Sequence, residues 1–546
     1  MKVIIIGGVA GGASAAARLR RLNEEAEIII LERGQHISYA NCGLPYHIGG
    51  VIEDVSQLLL QTPESFKARF NVDVRVLNEA VRIDRVNKTV TVKDLSTGRV
   101  YEESYDKLIL SPGAKPIRPG IKGLDQEKVF MLRDVADTVR ISAFVERTRP
   151  RKAAIIGGGY IGIELAENLH NKGLDVTVLE MADHIIAPLD IEMAHIVEDH
   201  IRQLGVDLQL GCQASVIEDK GNCMLLSYSK GALDADMVLV CTGVVPENAL
   251  AVGCGLELGF RGTVAVDDRM LTSDPDIYAV GDVVEIDEFL TKDKRHIPLA
   301  GPANKQGRIA ADQICGIDSR YKGTQGSTVL KVFDLTVACT GINEATAKRA
   351  GLNYDKVYLS AGSHAGYYPG AKALAMKVLF DKSDGRILGA QIIGEEGADK
   401  RCDVLAVAIR AGMKSADLTE LELCYAPPYS SAKDPVNMAG YVIENILGGK
   451  VKNFHWDELH KLDPKEVTLL DVRDRYEFAF GRADGFKNIP LDQLRSRINE
   501  LDANKKTYVC CRSGLRSYIA CRILTAHGID CYNISGGFSF YEHVVR

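Results

Sequence analysis

The chain has no apolar run approaching the roughly 18 residues of a membrane span, so no transmembrane helix is expected. It has no block of Lys and Arg, and its formal net charge is −7. Neither nucleic acid nor an anionic membrane surface is therefore an expected partner. No C-x-x-C pair and no histidine cluster occurs, so the usual zinc spacings are missing and no metal is expected. The 13 cysteines are scattered without the spacing of a disulfide framework. The first apolar run begins at Val3 with no basic leader before it, which does not read as a secretion signal. Reduced thiols and a cytoplasmic location are the corresponding expectations. The rest is ordinary globular composition, 25 % charged and 46 % apolar, and 546 residues suffice for several domains.

The stretch from Met1 to His47 organises what is there. Val3–Ile6 is a short apolar run, followed by Gly7, Gly8, Gly11 and Gly12. A helical pattern comes next, then a second apolar run, Ala26–Leu31, ending in Glu32. Strand, glycine turn, helix, strand and acid are the parts of a dinucleotide site. The glycines let the backbone approach a pyrophosphate, the helix start offers free N–H groups, and the acid accepts a ribose hydroxyl. In G-x-G-x-x-G register Val9 holds the middle position. Beyond Glu32 stands Cys42, in Ser38-Tyr39-Ala40-Asn41-Cys42, either a small buried hydrophobe or a reactive thiol.

A second unit repeats the pattern. Ala153–Ile156 reads as a strand, Gly157-Gly158-Gly159-Tyr160-Ile161-Gly162 fits G-x-G-x-x-G in full, and the strand Asp175–Leu179 ends in Glu180. A carboxylate there accepts a 2′-hydroxyl and repels a 2′-phosphate, which favours NADH over NADPH, with NADPH still possible. Between the two units, Thr62-Pro63 starts a capped helix, and Val72–Val76 with Thr89–Val92 reads as an inserted β-meander. Lys107–Leu110 and Met237–Val240 are further strands, and LTSDPDIYAVGD (Leu271–Asp282) returns to the first unit. From Thr328 longer β-runs and helices begin a third unit. Near Gly448-Gly449-Lys450, a linker, a fresh α/β pattern opens. There Thr507–Cys510 is a strand, and Cys511-Arg512-Ser513-Gly514-Leu515-Arg516-Ser517 leads into a helix. Several backbone N–H groups and Arg516 face the Cys511 position and stabilise a thiolate or persulfide. Cys510 reads as core.

The first 450 or so residues resemble the flavin-dependent pyridine nucleotide–disulfide oxidoreductases, on the two glycine turns and the TSDPDIYAVGD segment. The single Cys42 in Ser-Tyr-x-x-Cys resembles the coenzyme A-disulfide reductase branch, with Tyr39 in place of the usual phenylalanine. The last domain resembles rhodanese, on Leu470-Asp471-Val472-Arg473, Glu477-Phe478 and the Cys511 loop; Arg482-Ala483 replaces its usual His-Ile. The fused architecture resembles the coenzyme A-disulfide reductase–rhodanese fusions. The implied fold is α/β. A discontinuous FAD-binding Rossmann domain (1–150 and 240–327) is interrupted by an NAD-binding one (151–239), followed by an α+β dimerisation domain (328–448) and a C-terminal α/β rhodanese domain (453–546).

The resemblance further implies site residues. FAD is held by the first glycine turn with Glu32, Arg33 and Asp282, the last on the ribityl chain; NADH is held by Gly157, Gly159, Gly162 and Glu180. Coenzyme A, a bound co-substrate or prosthetic thiol, is held by Ser14, Arg18, Arg21, Ser38, Asn41 and Lys433. Tyr367 and Tyr425 reach the cysteine of the other subunit of a homodimer and protonate the leaving thiol; core packing is the alternative for both. Arg18 and Arg21, taken alone, read better as a solvated charged face; together with Cys42 and the rest they read as an anion site for the coenzyme A phosphates. The implied reaction passes hydride from NADH through the flavin to a disulfide between Cys42 and a bound thiol. The Cys42 thiolate then attacks the sulfane sulfur of a persulfide. Cys511, with Arg512, Ser513, Gly514 and Arg516, collects sulfane sulfur from polysulfide. An NADH oxidase or peroxidase cycling Cys42 through sulfenic acid is the rival. Peroxidase relatives carry histidine in the first glycine turn, where Ala10 stands here. A flavoprotein sensor without turnover would not need two separately placed nucleophilic cysteines.

Overall fold

Val3–Ile6 is buried along its whole length, as a central parallel strand requires. It lies in the middle of a parallel sheet ordered Ile277–Ala279, Lys107–Leu110, Lys2–Ile6, Glu27–Glu32, Asp73–Val76. The segment around Tyr278 thus completes a sheet begun at the N-terminus. The structure, a computed structural model, describes residues 1–545. One expectation is corrected. Asp73–Val76 is the edge strand of this parallel sheet, paired with Ile29–Glu32, and not part of the meander. The meander is Asn78–Asp84, Thr89–Asp94 and Val100–Ser104. Alternation in a short segment says strand but not which sheet receives it.

A second parallel sheet is ordered Asp207–Gln209, Asp175–Leu179, Lys152–Ile156, Met237–Val240, Val129–Phe130. The third unit is an antiparallel sheet of Thr328–Val332, Leu335–Gly341, Ile387–Gly394, Ala373–Asp381 and Tyr354–Gly362. The fourth is parallel again, Lys452–Phe454, Cys531–Ile534, Lys506–Cys510, Val467–Asp471 and Lys487–Asn488.

The chain divides into two compact units. One holds 1–183 and 205–326; the other holds 184–204 and the described residues from 327 onward. The helix Ile191–Gln203 belongs to the second unit, although its sequence neighbours carry the second glycine turn. A buried charge cluster ties it there. Lys377, fully buried, places its ammonium 2.7 Å from Asp190, 2.8 Å from Glu344, and against Glu192. These three carboxylates are spaced as metal ligands are, and the Lys377 ammonium fills the space between them. Lys356 extends the cluster to Asp457 at 3.1 Å.

The Gly448–Lys450 linker is short, between the helix ending at Leu447 and the strand starting at Lys452. Past it, the C-terminal sheet is fastened to the antiparallel one. His455 Nε2 lies 2.7 Å from Asp355 Oδ1, Tyr358 N donates to Ser535 Oγ at 3.2 Å, and the Tyr358 and Phe540 rings are 4.8 Å apart.

Candidate active sites

The two glycine turns have the same geometry. A Cβ on Gly12 would meet Gly7 O at 1.9 Å, and one on Gly162 would meet Gly157 O at 2.0 Å. Gly7 and Gly157 themselves sit at φ 96° and 112°, where side chains are strained. The acids clamp the turns. Glu32 accepts from the N–H groups of Gly8 and Gly34 at 2.9 and 2.8 Å, and Glu180 from those of Gly158 and Ala182 at 2.6 and 2.8 Å. Gly159 differs from its neighbours in the turn. A Cβ there would meet nothing within 4 Å, so packing does not demand glycine, and the open space suits close approach by a pyrophosphate. Val9 holds the equivalent place in the first turn. These features fit two dinucleotides.

Around the first turn, Ser38 sits at φ 46° and its N–H donates to Gly8 O at 2.9 Å, which brings the Ser38–Cys42 loop against the glycines. Asn41 Oδ1 is buried without a hydrogen-bond partner, an atom left for a ligand. Asp282 is 3.6 Å from Arg133, and its carbonyl oxygen accepts from His296 Nε2 at 2.7 Å. Arg33 is half exposed, 3.5 Å from Glu247. Ser14 donates to Asn304 at 2.7 Å. Arg18 is paired with the buried Asp312 at 2.7 Å, so part of its charge is already met, whereas among the described residues no ion pair engages the neighbouring Arg21.

Cys42 lies in the turn Asn41–Gly43, just before the helix Leu44–Gly49, and is exposed. Crowding by the chain, with the carboxylates of Glu164 and Asp282 nearby, pushes its thiol up. Glu164 is a residue that sequence reading passed over. It sits on the helix Tyr160–Asn171 and accepts a hydrogen bond from Tyr46 Oη at 3.3 Å. Burial raises its carboxyl to about 7, with Glu167 adding to the rise against the Tyr46 hydrogen bond. It can therefore hold or release a proton near neutral pH. Its only signal in the sequence is its place two residues after the second fingerprint.

In the second unit, Tyr367 and Tyr425 share a hydrogen bond at 2.9 Å between their hydroxyls. They are 76 % and 47 % exposed, so core packing does not account for them. Lys433 is also exposed, just ahead of the helix Pro435–Leu447.

Cys511 follows the strand Lys506–Cys510 and is fully buried. Its sulfur accepts from Gly514 N at 3.1 Å and Ser517 Oγ at 3.3 Å. Gly514, at φ 105°, turns the Arg512–Ser513 loop into the helix Leu515–Ala526. Behind the loop, Phe538 N donates to Cys511 O at 2.7 Å, and Trp456 Nε1 donates to Gly537 O at 2.7 Å. Arg516 makes two hydrogen bonds to Glu477, at 2.6 and 2.8 Å, so its charge is shared with a carboxylate and not free for the sulfur alone. Cys510 is buried, and burial pushes its thiol well up, as a core residue.

Two dinucleotide-type turns, an exposed lone thiol beside the first, and a cradled cysteine on a separate parallel sheet define a nucleotide-dependent thiol oxidoreductase joined to a sulfur-handling domain. Residues 1–307 match the pyridine nucleotide-disulphide oxidoreductase family, 328–435 that family's dimerisation domain, and 455–543 the rhodanese-like domain. The chain belongs to the pyridine nucleotide-disulphide oxidoreductases, with a rhodanese-like domain at its C-terminal end.

Among its relatives is the coenzyme A disulfide reductase of Staphylococcus aureus (strain JH9), 37 % identical over 448 residues, covering 81 % of this chain and 99 % of that protein. The reduced CoADR-RHD of Bacillus anthracis is similar in structure, with TM-score 0.97 and 49 % identity, covering 100 % of this chain and 98 % of that one. A NAD-dependent persulfide reductase from A. fulgidus has TM-score 0.93 and 37 % identity, covering 99 % and 100 %. The water-forming NADH oxidase of Lactobacillus brevis has TM-score 0.79 and 28 % identity, covering 82 % and 99 %. Among the described residues no helix is long and apolar enough to cross a membrane.

Proposed function

We propose that this protein uses NADH to reduce coenzyme A disulfide, coenzyme A persulfide or polysulfide through Cys42, with Cys511 handling sulfane sulfur. The observation that carries the reading is the pairing of two unlike cysteines. Cys42 is exposed, in a turn held against the first glycine loop, while Cys511 is buried among hydrogen-bond donors. Cys42 has no second cysteine near it in the chain, the next being Cys212, so an internal disulfide of the two-cysteine kind is not available. A partner thiol is required, and coenzyme A supplies one.

FAD, held by the Gly7–Gly12 turn, Glu32 and Asp282, supplies the two-electron link between NADH and the thiol chemistry. NADH would be held at Gly157–Gly162 with Glu180 at the ribose, and Asn41 Oδ1, buried without a hydrogen-bond partner, is available to a ligand near Cys42. Glu164, with a carboxyl near 7, accepts or supplies a proton on the Cys42 side. The exposed hydroxyl pair of Tyr367 and Tyr425 serves the partner's thiol in a homodimer, where one hydroxyl orients the other for proton donation. Ser14, Arg21, Ser38, Asn41 and Lys433 are the proposed coenzyme A contacts, with Arg18 contributing the part of its charge that Asp312 leaves.

The rival reading, an NADH oxidase, is favoured by the likeness to the Lactobacillus brevis enzyme. NADH consumption measured side by side with coenzyme A disulfide, coenzyme A persulfide, polysulfide, oxygen and hydrogen peroxide separates the two. Turnover with the sulfur acceptors should dominate; turnover with oxygen alone would replace this reading with the rival.

A further inference from the structure

The Arg516–Glu477 pair joins the helix after the Cys511 loop to the helix Arg475–Phe480, and each helix carries an exposed apolar pair beside it. On the shorter helix, Tyr476 and Phe480 are one turn apart and flank Glu477. They are 90 % and 99 % exposed, the most exposed aromatic side chains among the described residues. On the other helix, Leu515 and Ile519 have the same spacing, flank Arg516 and are also exposed. Neither pair serves the core of the domain. Single exposed apolar residues are ordinary, but several large ones gathered in one place mark a binding surface.

The surface is also cationic. Arg475 precedes the aromatic pair, and Arg482 follows it with its guanidinium 5.4 Å from the Phe478 ring centre. Arg512 stands next to Cys511. All three are exposed, and among the described residues no ion pair engages them. Once Arg516 is set against Glu477, these arginines face two carboxylates, Asp474 and Asp484, and a positive excess remains. Aromatic faces stack a planar base, and arginines take phosphates. The matching ligand therefore joins an aromatic base to phosphates. The span to the sulfur is short. Arg516 is two residues from Gly514, whose N–H lies 3.1 Å from the Cys511 sulfur.

We propose that Tyr476 and Phe480 form a shelf for the adenine of coenzyme A, a nucleotide site on the rhodanese-like domain itself. Arg475, Arg482 and Arg512 hold the phosphates, and the pantetheine arm passes Leu515 to reach Cys511. The inference rests on the reading that coenzyme A is the carrier thiol. At this site the coenzyme A thiolate attacks the outer sulfur of the Cys511 persulfide. The S–S bond of that persulfide breaks, one forms to coenzyme A, and Cys511 leaves as thiolate. The outer sulfur keeps its own proton, so coenzyme A departs as its persulfide with no net oxidation.

The FAD-loaded full chain is charged at Cys511 with inorganic polysulfide, without NADH or oxygen, and freed of excess reagent. Loss of the extra sulfur from the Cys511 peptide is then followed by mass spectrometry against the concentration of coenzyme A or of pantetheine, which has the same arm without the nucleotide. Half-saturation is expected at about tenfold lower concentration for coenzyme A, as stacking of one base on an aromatic shelf provides. In the double variant Tyr476→Ala with Phe480→Ala the two acceptors should become equal. Equal values in the wild-type chain, or a double variant that keeps the wild-type preference, would overturn the proposal. A second readout needs no variant. The wild-type chain is irradiated with coenzyme A bearing an azide on its adenine, and label is expected on the peptide that holds Tyr476 and Phe480. Label confined to peptides before residue 327 would overturn the shelf. NADH and Cys42 turnover do not enter either readout, so failure of the reductase reading is seen separately, in NADH consumption.

Discussion

Glu180 Oε2 accepts the Gly158 N–H at 2.6 Å, so the acid at the end of one strand fixes the turn that follows its neighbour. The carboxylate is held by two backbone N–H groups and still has lone pairs that a ribose hydroxyl could meet, where a phosphate would be repelled. NADH is expected to exceed NADPH in kcat/KM. Glu180→Gln, which removes the charge, should narrow the preference by about tenfold, the equivalent of about 1.4 kcal/mol. Equal or NADPH-favouring values for the wild-type chain would mean that Glu180 does not meet the ribose.

Arg516 and Glu477 are bound in the same two-pronged way across the Cys511 loop. The Arg516 hydrogen bonds hold the Glu477 carboxyl down to about 2. A carboxyl depressed in the folded state adds stability that is present above its unfolded pKa, about 4.3, and is lost as pH falls through about 2. Both side chains are partly exposed, so solvent screening reduces the contribution to about 1 kcal/mol or less. Glu477→Gln should therefore lower domain stability at pH 7 and flatten its acid dependence between those values, as followed by fluorescence of the buried Trp456. An unchanged acid profile would show that the pair is not formed in solution.

Lys377 should be far less tolerant. Lys377→Met leaves Asp190, Glu192 and Glu344 buried together without their shared cation. Stranding buried charge typically costs about 3–5 kcal/mol. The loss should be largest at neutral pH and shrink in acid, where the carboxylates take up protons. Urea unfolding at pH 7 and pH 5 measures both; a variant as stable as wild type at pH 7 would contradict the buried cluster.

How far the sequence reaches is visible in these three sites. The glycine turns, their acids, Cys42 and the Cys511 loop are legible because each motif is local, with its residues close along the chain and its backbone demands written as glycine. The Lys377 cluster joins positions near 190, 344 and 377, which no periodicity connects. Arg516 reads from sequence as an anion holder for the sulfur; its bond to Glu477, which belongs to a separate signature 39 residues away, is not written in the sequence. Val72–Val76 reads as strand from its alternation, but the sheet that receives Asp73–Val76 is decided by partners distant in sequence. Glu164 was invisible because its raised carboxyl comes from burial, which tertiary packing alone creates.

The unliganded Cys42 thiol is pushed up by crowding and by the nearby carboxylates, so before ligands bind its thiolate is scarcer at neutral pH than that of an ordinary cysteine, whose pKa is about 8.5. Alkylation of the reduced, ligand-free chain at Cys42 should therefore keep accelerating as pH rises past 8.5. A plateau below pH 8 would contradict the effect assigned to Glu164 and Asp282.

Cys511→Ser should spare reduction of small coenzyme A persulfides and slow turnover of polysulfide and bulky sulfane donors. The domain is fastened to the antiparallel sheet by His455–Asp355 and Tyr358–Ser535, which favours a carrier such as the pantetheine arm over movement of the domain itself. Rates with the two substrate classes are compared. Equal loss on both would make Cys511 structural, and unchanged rates on both would make the domain a passenger.

The most direct measurement is on Cys42→Ser. In stopped flow, NADH should still bleach the flavin at close to the wild-type rate, because that step precedes the thiol chemistry, while steady-state reduction of coenzyme A disulfide and persulfide should be lost. A Cys42→Ser enzyme that still reduces persulfide at the wild-type rate would remove Cys42 from the reaction and contradict the single-thiol mechanism.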